Sequence, residues 1–420
     1  MESIEPLQNW ARNLTYGAKA VQSPTTIEEL QETVRGGAKI KALGSRHSFS
    51  DIADTDGTLV LLGNLNQIYP VDKTRNTVTV EAGVTYSQLC PQLESQGYAL
   101  PNLASLPHIS VIGACATGTH GSGVGNGCLS TSVSELEIVK ADGSISKLTR
   151  DRDGDEFLGA VVGLGALGVV ARVTLNVLPS YQMSQRVFDN LSWGAFESHW
   201  DAILSSSYSV SLFTDWRSSG FKQVWVKSLR GTDFVGDEFF GAKAATTPRH
   251  PIPTATDIEA ATFTTEQLGV PGPWFERLPH FRTDFTPSSG EELQTEYLVP
   301  RENTFEALRA LNQIRDQIAS LLQISEIRTV AKDDLWMSPS YGRDSLAIHF
   351  TWKKDWDGVR RILPLIEDRL RPFAPRPHWG KLFLMPISHS YSHYDGFCKL
   401  RSEWDPEGKF GNAFLARLFK

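Results

Sequence analysis

The chain has 420 residues, with 41 lysines and arginines against 48 aspartates and glutamates, so its formal charge is −7. Hydrophobic residues make up 40% and charged residues 21%, a balance that buries a core and excludes wholesale disorder. The mild acidity, without a concentrated basic face, argues against nucleic acid as the main partner.

A length prior of ~150 residues per domain predicts about two or three domains. No apolar stretch approaches the ~20 residues of a membrane-spanning helix. The opening MESIEPLQNW lacks the basic start and apolar middle of a signal peptide. Cys90, Cys115, Cys128 and Cys398 are too scattered for a disulfide framework, so a reducing cytoplasm is the default. His389 and His393 have H-x-x-x-H spacing without the metalloprotease glutamate, and no metal site is expected.

In chain order, SPTTIEELQETVRGG reads as a helix. Thr26 and Glu29 form a capping box, Ile27, Leu30 and Val34 share a face, and Gly36 or Gly37 ends it. KIKALG alternates as a strand and runs into the turn GSRHSFSD. NTVTVEAGV reads as a strand, followed by a helix from about Tyr86 to Ser95. From Ala104 to Gly127, small and hydroxylated residues interleave with Ile, Val and Cys, which predicts backbone packed closely against something large.

Gly163, Gly165 and Gly168 match G-x-G-x-x-G, but that dinucleotide fingerprint needs a helix immediately afterwards. The following VVARVTLNV instead alternates as a strand, so a loop beside a ligand is expected in place of a Rossmann site. Between about Pro179 and Pro287 the periodicity is weak, and only short strands such as KQVWVKSL are predicted.

The last third is more legible. ELQTEYLVP, a helix from Asn303 to Leu321 capped by Asn303 and Glu306, SEIRTV, SLAIHFTW, a helix carrying Val359, Ile362, Ile366 and Leu370, and KLFLM give β-α-β-β-α-β. That is the ferredoxin-like arrangement, with both helices on one face of a four-stranded sheet. Side chains alternate across a sheet, so Glu326 and Arg328 share one face, as do His349 and Thr351. In the first strand Gln294 and Glu296 oppose Leu293, Tyr297 and Val299 in part, although Thr295 breaks the pattern. The face away from the helices therefore carries Gln294, Glu326, Arg328, His349 and Thr351, with Lys381 close by. A surface of ion pairs would look similar, but the mixture of carboxylate, guanidinium, imidazole and hydroxyl suits a polyhydroxylated ligand. His47, between Gly44, Ser45 and Ser48, is either a plain loop residue or part of a turn presenting N–H groups to phosphate.

KALGSRHSFS, NLASLPHISVIGACATGTHGSG and GALGVV together resemble the flavin-binding domain of the vanillyl-alcohol-oxidase superfamily. ELQTEYL, SEIRTV, HFTW and RPHWGK resemble one branch of it, the bacterial alditol (xylitol/sorbitol) oxidases. The likeness spans nearly the whole chain. It implies an α+β fold: a PCMH-type FAD-binding domain over residues 1–180, a substrate or cap domain over 181–380, and a segment 381–420 returning to the FAD domain.

By that resemblance His47 is the histidine tethered to the 8α-methyl carbon of FAD. Gly44, Ser45 and Ser48 flank the pyrophosphate, Ser110, Gly113, Thr117 and Gly118 lie along the cofactor, Arg46 and Ser105 also belong to the cofactor-binding set, and Val169 closes on the adenine end. Arg46 departs from the family, many of whose members have glycine there. Ser105, Gln294, Glu326, Arg328, His349, Thr351 and Lys381 match substrate-pocket positions. The implied reaction is oxidation of a terminal CH–OH of a polyol to an aldehyde, with O₂ reduced to H₂O₂. Arg328 and Lys381 would stabilise alkoxide charge, and His349, whose ordinary pKa is near neutral, is the candidate base. A monomer is expected. The alternatives are an aldonolactone oxidase or dehydrogenase of the same superfamily, and a sugar-binding protein without flavin.

Overall fold

A small parallel sheet opens the fold, with strands Ala20–Gln22, Thr58–Leu61 and Ile40–Leu43 side by side in that order. The computed structural model describes residues 7–232, 236–252, 261–284 and 290–419. The helix Ile27–Gly36 crosses between the first two strands in sequence and buries Ile27, Leu30 and Val34, as its periodicity requires. Its cap differs slightly from the sequence reading. Thr26 accepts from the Glu29 amide, but the Glu29 carboxylate reaches one residue further back, to the Thr25 amide.

Next comes a four-stranded antiparallel sheet ordered Thr77–Glu81, Val169–Asn176, Val133–Val139 and Ile145–Thr149. The G-x-G-x-x-G glycines run straight into its strand Val169–Asn176, with no helix after them. The helix Tyr86–Ser95 and the short helix Val111–Ala116 from the glycine-rich segment bury their apolar residues in the same core.

The largest element is a ten-stranded sheet. Leu322–Val330, Ser345–Lys353, Glu292–Pro300 and Arg376–Pro377 stand side by side in the ferredoxin-like order. Ser209–Thr214, Gly220–Leu229 and Gln182–Ser192 extend the sheet beyond Leu322–Val330. Helices Trp193–Leu204, Thr304–Asn312, Arg315–Leu321 and Trp356–Leu370 cover one face. Their Leu308, Leu311, Ile318, Ile362 and Ile366 pack on Tyr297, Ile327, Ile348, Phe350 and Trp352.

Three sequence expectations need correction. The stretch Lys381–Met385 is not a strand: the Leu384 amide donates to the Glu367 carboxylate, and the sheet position goes to Arg376–Pro377. That strand is short, because proline offers no amide to the ladder. The helix expected from Asn303 to Leu321 is two helices broken after Asn312, and Asn303 makes no side-chain cap. The region read as short strands contains the two long ones, Gln182–Ser192 and Gly220–Leu229.

The C-terminal helices Tyr394–Trp404 and Ala413–Leu418 bring Phe397, Leu400, Trp404, Phe414 and Leu415 into the core of the first half of the chain. Asn412 donates to the carbonyls of Asp51, Ile52 and Asp54, fastening this return beside the loop that carries His47. Among the described residues no helix is long and apolar enough to cross a membrane.

Candidate active site

The polar face of the large sheet closes over the first half of the chain, and a cavity of about 520 Å³ lies between them. One part of its lining is the loop Gly163–Gly168 with Ile138 and Val170. The buried Lys41 donates to Gly165 O at 2.9 Å and leads along its strand into Gly44 and the turn Ser45–Ser48, which also line the cavity. That turn meets the far wall: the Phe49 amide donates to Gly380 O at 2.7 Å, and Ser50 Oγ to Trp379 O at 2.9 Å. Lys381 follows directly.

Close backbone approach explains the small residues here. A Cβ on Gly44 would stand 2.4 Å from Ser110 Oγ, and one on Gly113 would stand 2.5 Å from it. The Ser110 amide in turn donates to Ser45 Oγ at 3.1 Å, so the two glycine-bearing segments form one cradle. Arg46 takes φ +61, the left-handed conformation that glycine favours, so the turn keeps its geometry without the glycine. His47 is half-buried, stacks on Trp10 with ring centroids 5.0 Å apart, and has Nδ1 3.1 Å from Ser45 O. Burial draws its pKa down to about 4, so the imidazole is neutral at pH 7. A long, glycine-walled slot with a neutral histidine on its wall fits FAD.

On the sheet, alternation and register bring the polar side chains into one row. Glu296 pairs across with His349, and His349 with Glu326 on the next strand. Glu296 is fully buried at the centre. Its Oε1 accepts from Arg328 Nη2 at 2.8 Å, and its Oε2 accepts from Lys381 Nζ in a very short contact. Arg328 Nη1 reaches Ser105 Oγ at 3.5 Å, and its Nε lies 3.6 Å from Glu326. Lys381 Nζ is 2.8 Å from His349 Nδ1, and His349 Nε2 is 3.0 Å from Thr351 Oγ1.

Burial alone would raise the carboxyl of Glu296, but Lys381 and Arg328 outweigh it and hold the group well below the usual carboxylate range. Glu326 behaves likewise: burial opposes ionisation, while Arg328 and His280 more than compensate. Burial, with Lys381 beside it, draws His349 down to about 4. Two carboxylates thus face two cations around neutral imidazoles. His120, Glu296 and His378 also converge within 4.8 Å of one another. Because Glu296 already accepts from two cations, a metal ion there would meet their repulsion.

Of the residues singled out in the sequence, Gly44, Ser45, Arg46, His47, Ser48, Ser105, Ser110, Gly113 and Thr117 line this cavity. Gln294, Glu326, Arg328, His349, Thr351 and Lys381 line it as well. Gly118 and Val169 do not, although Thr117, Thr119, Gly168 and Val170 beside them do. Sequence reasoning passed over Glu296, His120, His280 and His378, all of which line the cavity. The strand alternation did place Glu296 beside Gln294, and that was the available signal; the three histidines lie in irregular segments.

Residues 18–149 match the family model of the FAD binding domain, and residues 290–418 match that of D-arabinono-1,4-lactone oxidase. The chain is 47% identical over 416 residues to the alditol oxidase of Streptomyces sp., covering 98% of each protein. It is 27% identical to the L-gulonolactone oxidase of Mus musculus and 29% identical to the L-gulono-1,4-lactone dehydrogenase of Mycobacterium tuberculosis, again over 98% of each. Cholesterol oxidase from B. sterolicum superposes with a TM-score of 0.78 over 99% of this chain and 96% of that one, at 14% identity, a likeness of fold alone. The glycine-walled slot, the PCMH-type fold and identity along almost the whole length place the chain in the alditol oxidase family of FAD-dependent oxidoreductases.

Proposed function

We propose that this protein oxidises the terminal CH–OH of an alditol such as xylitol or sorbitol to the aldose, with O₂ reduced to H₂O₂. The observation that carries the reading is the row of Glu326, Arg328, His349, Thr351 and Lys381 facing the cavity, with both hydrogen-bond donors and acceptors available to a chain of hydroxyls. The 47% identity to an alditol oxidase supports it.

Gly44, Ser45, Arg46, Ser48, Ser110, Gly113 and Thr117 would hold FAD along the slot, and His47 would carry its covalent attachment. Bound FAD supplies the hydride acceptor and passes the electrons to oxygen. The protein's own task is to orient the substrate and manage its proton. Arg328 and Lys381 hold the C1 oxygen and stabilise the charge that develops on it. His349 takes the hydroxyl proton at Nδ1 once the substrate oxygen replaces Lys381 there, because Nε2 already faces Thr351. Ser105, Gln294, Glu326 and Thr351 read the hydroxyls further along the chain.

The test is anaerobic addition of xylitol, sorbitol, mannitol and glycerol to the purified yellow protein, followed by air. Bleaching of the visible flavin absorption and stoichiometric peroxide are expected. Colour that stays with acid-precipitated protein is expected from the His47 attachment, and His47→Ala should release it. The match of residues 290–418 to a lactone oxidase model favours one alternative, an aldonolactone substrate. Reduction by a gulono- or galactono-lactone with none by any alditol would establish that alternative.

A further inference from the structure

Lys227 is 1% exposed on the strand Gly220–Leu229, behind the residues assigned to substrate. Its Nζ donates to Leu278 O at 2.5 Å and Pro279 O at 3.0 Å, and lies 3.2 Å from His280 Nδ1. An ammonium has three hydrogens, and the two carbonyls take two of them. The third goes to His280, so Nδ1 keeps its lone pair and the hydrogen of the ring sits on Nε2. That nitrogen donates to Glu326 Oε1 at 2.7 Å.

The ring has little freedom. Phe213 and Trp225 pack edge-on against it, at centroid distances of 5.6 and 5.0 Å. The amides of His280 and Phe281 donate to Ser105 O at 3.1 and 3.2 Å, so the same loop fixes Ser105 on the opposite wall. One buried lysine therefore pins a loop that touches two of the substrate-facing residues.

Resting on the alditol reading above, we propose that Lys227 and His280 are positioning residues for Glu326. They commit one carboxylate oxygen to His280 and leave the other as a fixed acceptor for a hydroxyl beyond the reacting carbon. Selectivity for long alditols over short diols then depends on groups that never touch the reacting atoms.

The relay is also sensitive to pH. Burial draws Lys227 down to about 7, with Glu326 opposing and Arg328 adding to the shift. Among the described residues, these two and His280 are the charged or titratable groups facing it; its cross-strand neighbours Gln185 and Ser209 are neutral. Without its third hydrogen, Nζ can satisfy only two of its three acceptors, Leu278 O, Pro279 O and His280 Nδ1, so the pin on this loop and on the His280 ring loosens. Preference for long alditols falls as pH rises through about 7.

The test uses FAD-loaded enzyme. ¹⁵N spectra of histidine-labelled protein at pH 6, assigned with His280→Gln, should show His280 as the Nε2–H tautomer with Nδ1 accepting a bond; Lys227→Met should remove that acceptor signature. A proton on Nδ1 of the parent enzyme overturns the proposal. In kinetics, His280→Leu should raise KM for sorbitol at least about tenfold, while kcat and the KM for the short diol propylene glycol stay within about threefold. His280→Gln, whose amide can donate to Glu326 and accept from Lys227, should recover most of the loss. Equal losses in the two variants, or for the two substrates, would mean packing alone and would refute the relay. If no alditol reduces the parent enzyme, the functional reading fails instead, and the tautomer still decides the relay.

Discussion

The ammonium of Lys381 stands 2.8 Å from Nδ1 of His349. A donor at Nδ1 puts the ring hydrogen of His349 on Nε2, toward Thr351, and leaves Nδ1 as the only basic atom. Burial, then Lys381, draws this imidazole down to about 4, so it is ready to accept a proton throughout the neutral range.

The second-order rate constant of flavin reduction at limiting alditol, which reports the unliganded site, should therefore fall on the acid side along a limb near pH 4, well below the ordinary histidine value. His349→Gln should slow reduction by about 10²–10⁴-fold and erase that limb. Anaerobic stopped-flow across pH is the measurement. A limb that survives the substitution would assign the base elsewhere.

Glu296→Gln should be among the most disruptive isosteric changes in the chain. It leaves Arg328 and Lys381 buried with one carboxylate fewer, a loss of about 3–5 kcal/mol for a broken buried pair. Denaturant unfolding of the FAD-loaded protein should show it, and activity should fall with it. An unchanged midpoint would mean that Glu326 alone balances both cations.

Glu326→Ala should raise KM for sorbitol more than for short diols. Its free oxygen reads a hydroxyl that short substrates lack, and an unmade buried hydrogen bond to a charged group costs about 1.5–3 kcal/mol. Steady-state kinetics with both substrates decide this, and equal losses count against it.

Gly168→Ala tests the loop that ends the G-x-G-x-x-G run. Gly168 has φ +147, and a Cβ there would stand 2.6 Å from both Val139 O and Ile138 Cγ2. Strain and overlap should cost about 2–4 kcal/mol and lower FAD content, read from unfolding curves and the flavin-to-protein absorbance ratio.

The strands of the last third were legible because their helix-covered face is continuously apolar. The polar face follows by elimination, which places Glu326, Arg328, His349 and Thr351 on it from the sequence. Glu296 escaped because Thr295 looked like a break in the alternation. In the structure Thr295 does point to the apolar side, where its hydroxyl accepts from Trp352 Nε1 at 3.0 Å, so the pattern is intact. Lys381–Met385 misled in the opposite sense. Its apolar run is real, but Leu384 spends its amide on the Glu367 side chain, a tertiary partner that a run of apolar residues does not encode. His120, His280 and His378 stand in loops whose shape is fixed by contacts distant in sequence, so no local periodicity assigned them to a face.

Because Glu296, His349 and Glu326 lie directly abreast on three neighbouring strands, the substrate wall is graduated like a ruler, with rungs set by the backbone ladder itself. Evolution can rewrite such a wall one tooth at a time, exchanging every second side chain while the helices behind it stay untouched. A single step of slippage in any one of these strands would turn its share of the row into the grease beneath, so an insertion or deletion is tolerated only where a bulge absorbs it, as between Leu322 and Ile324.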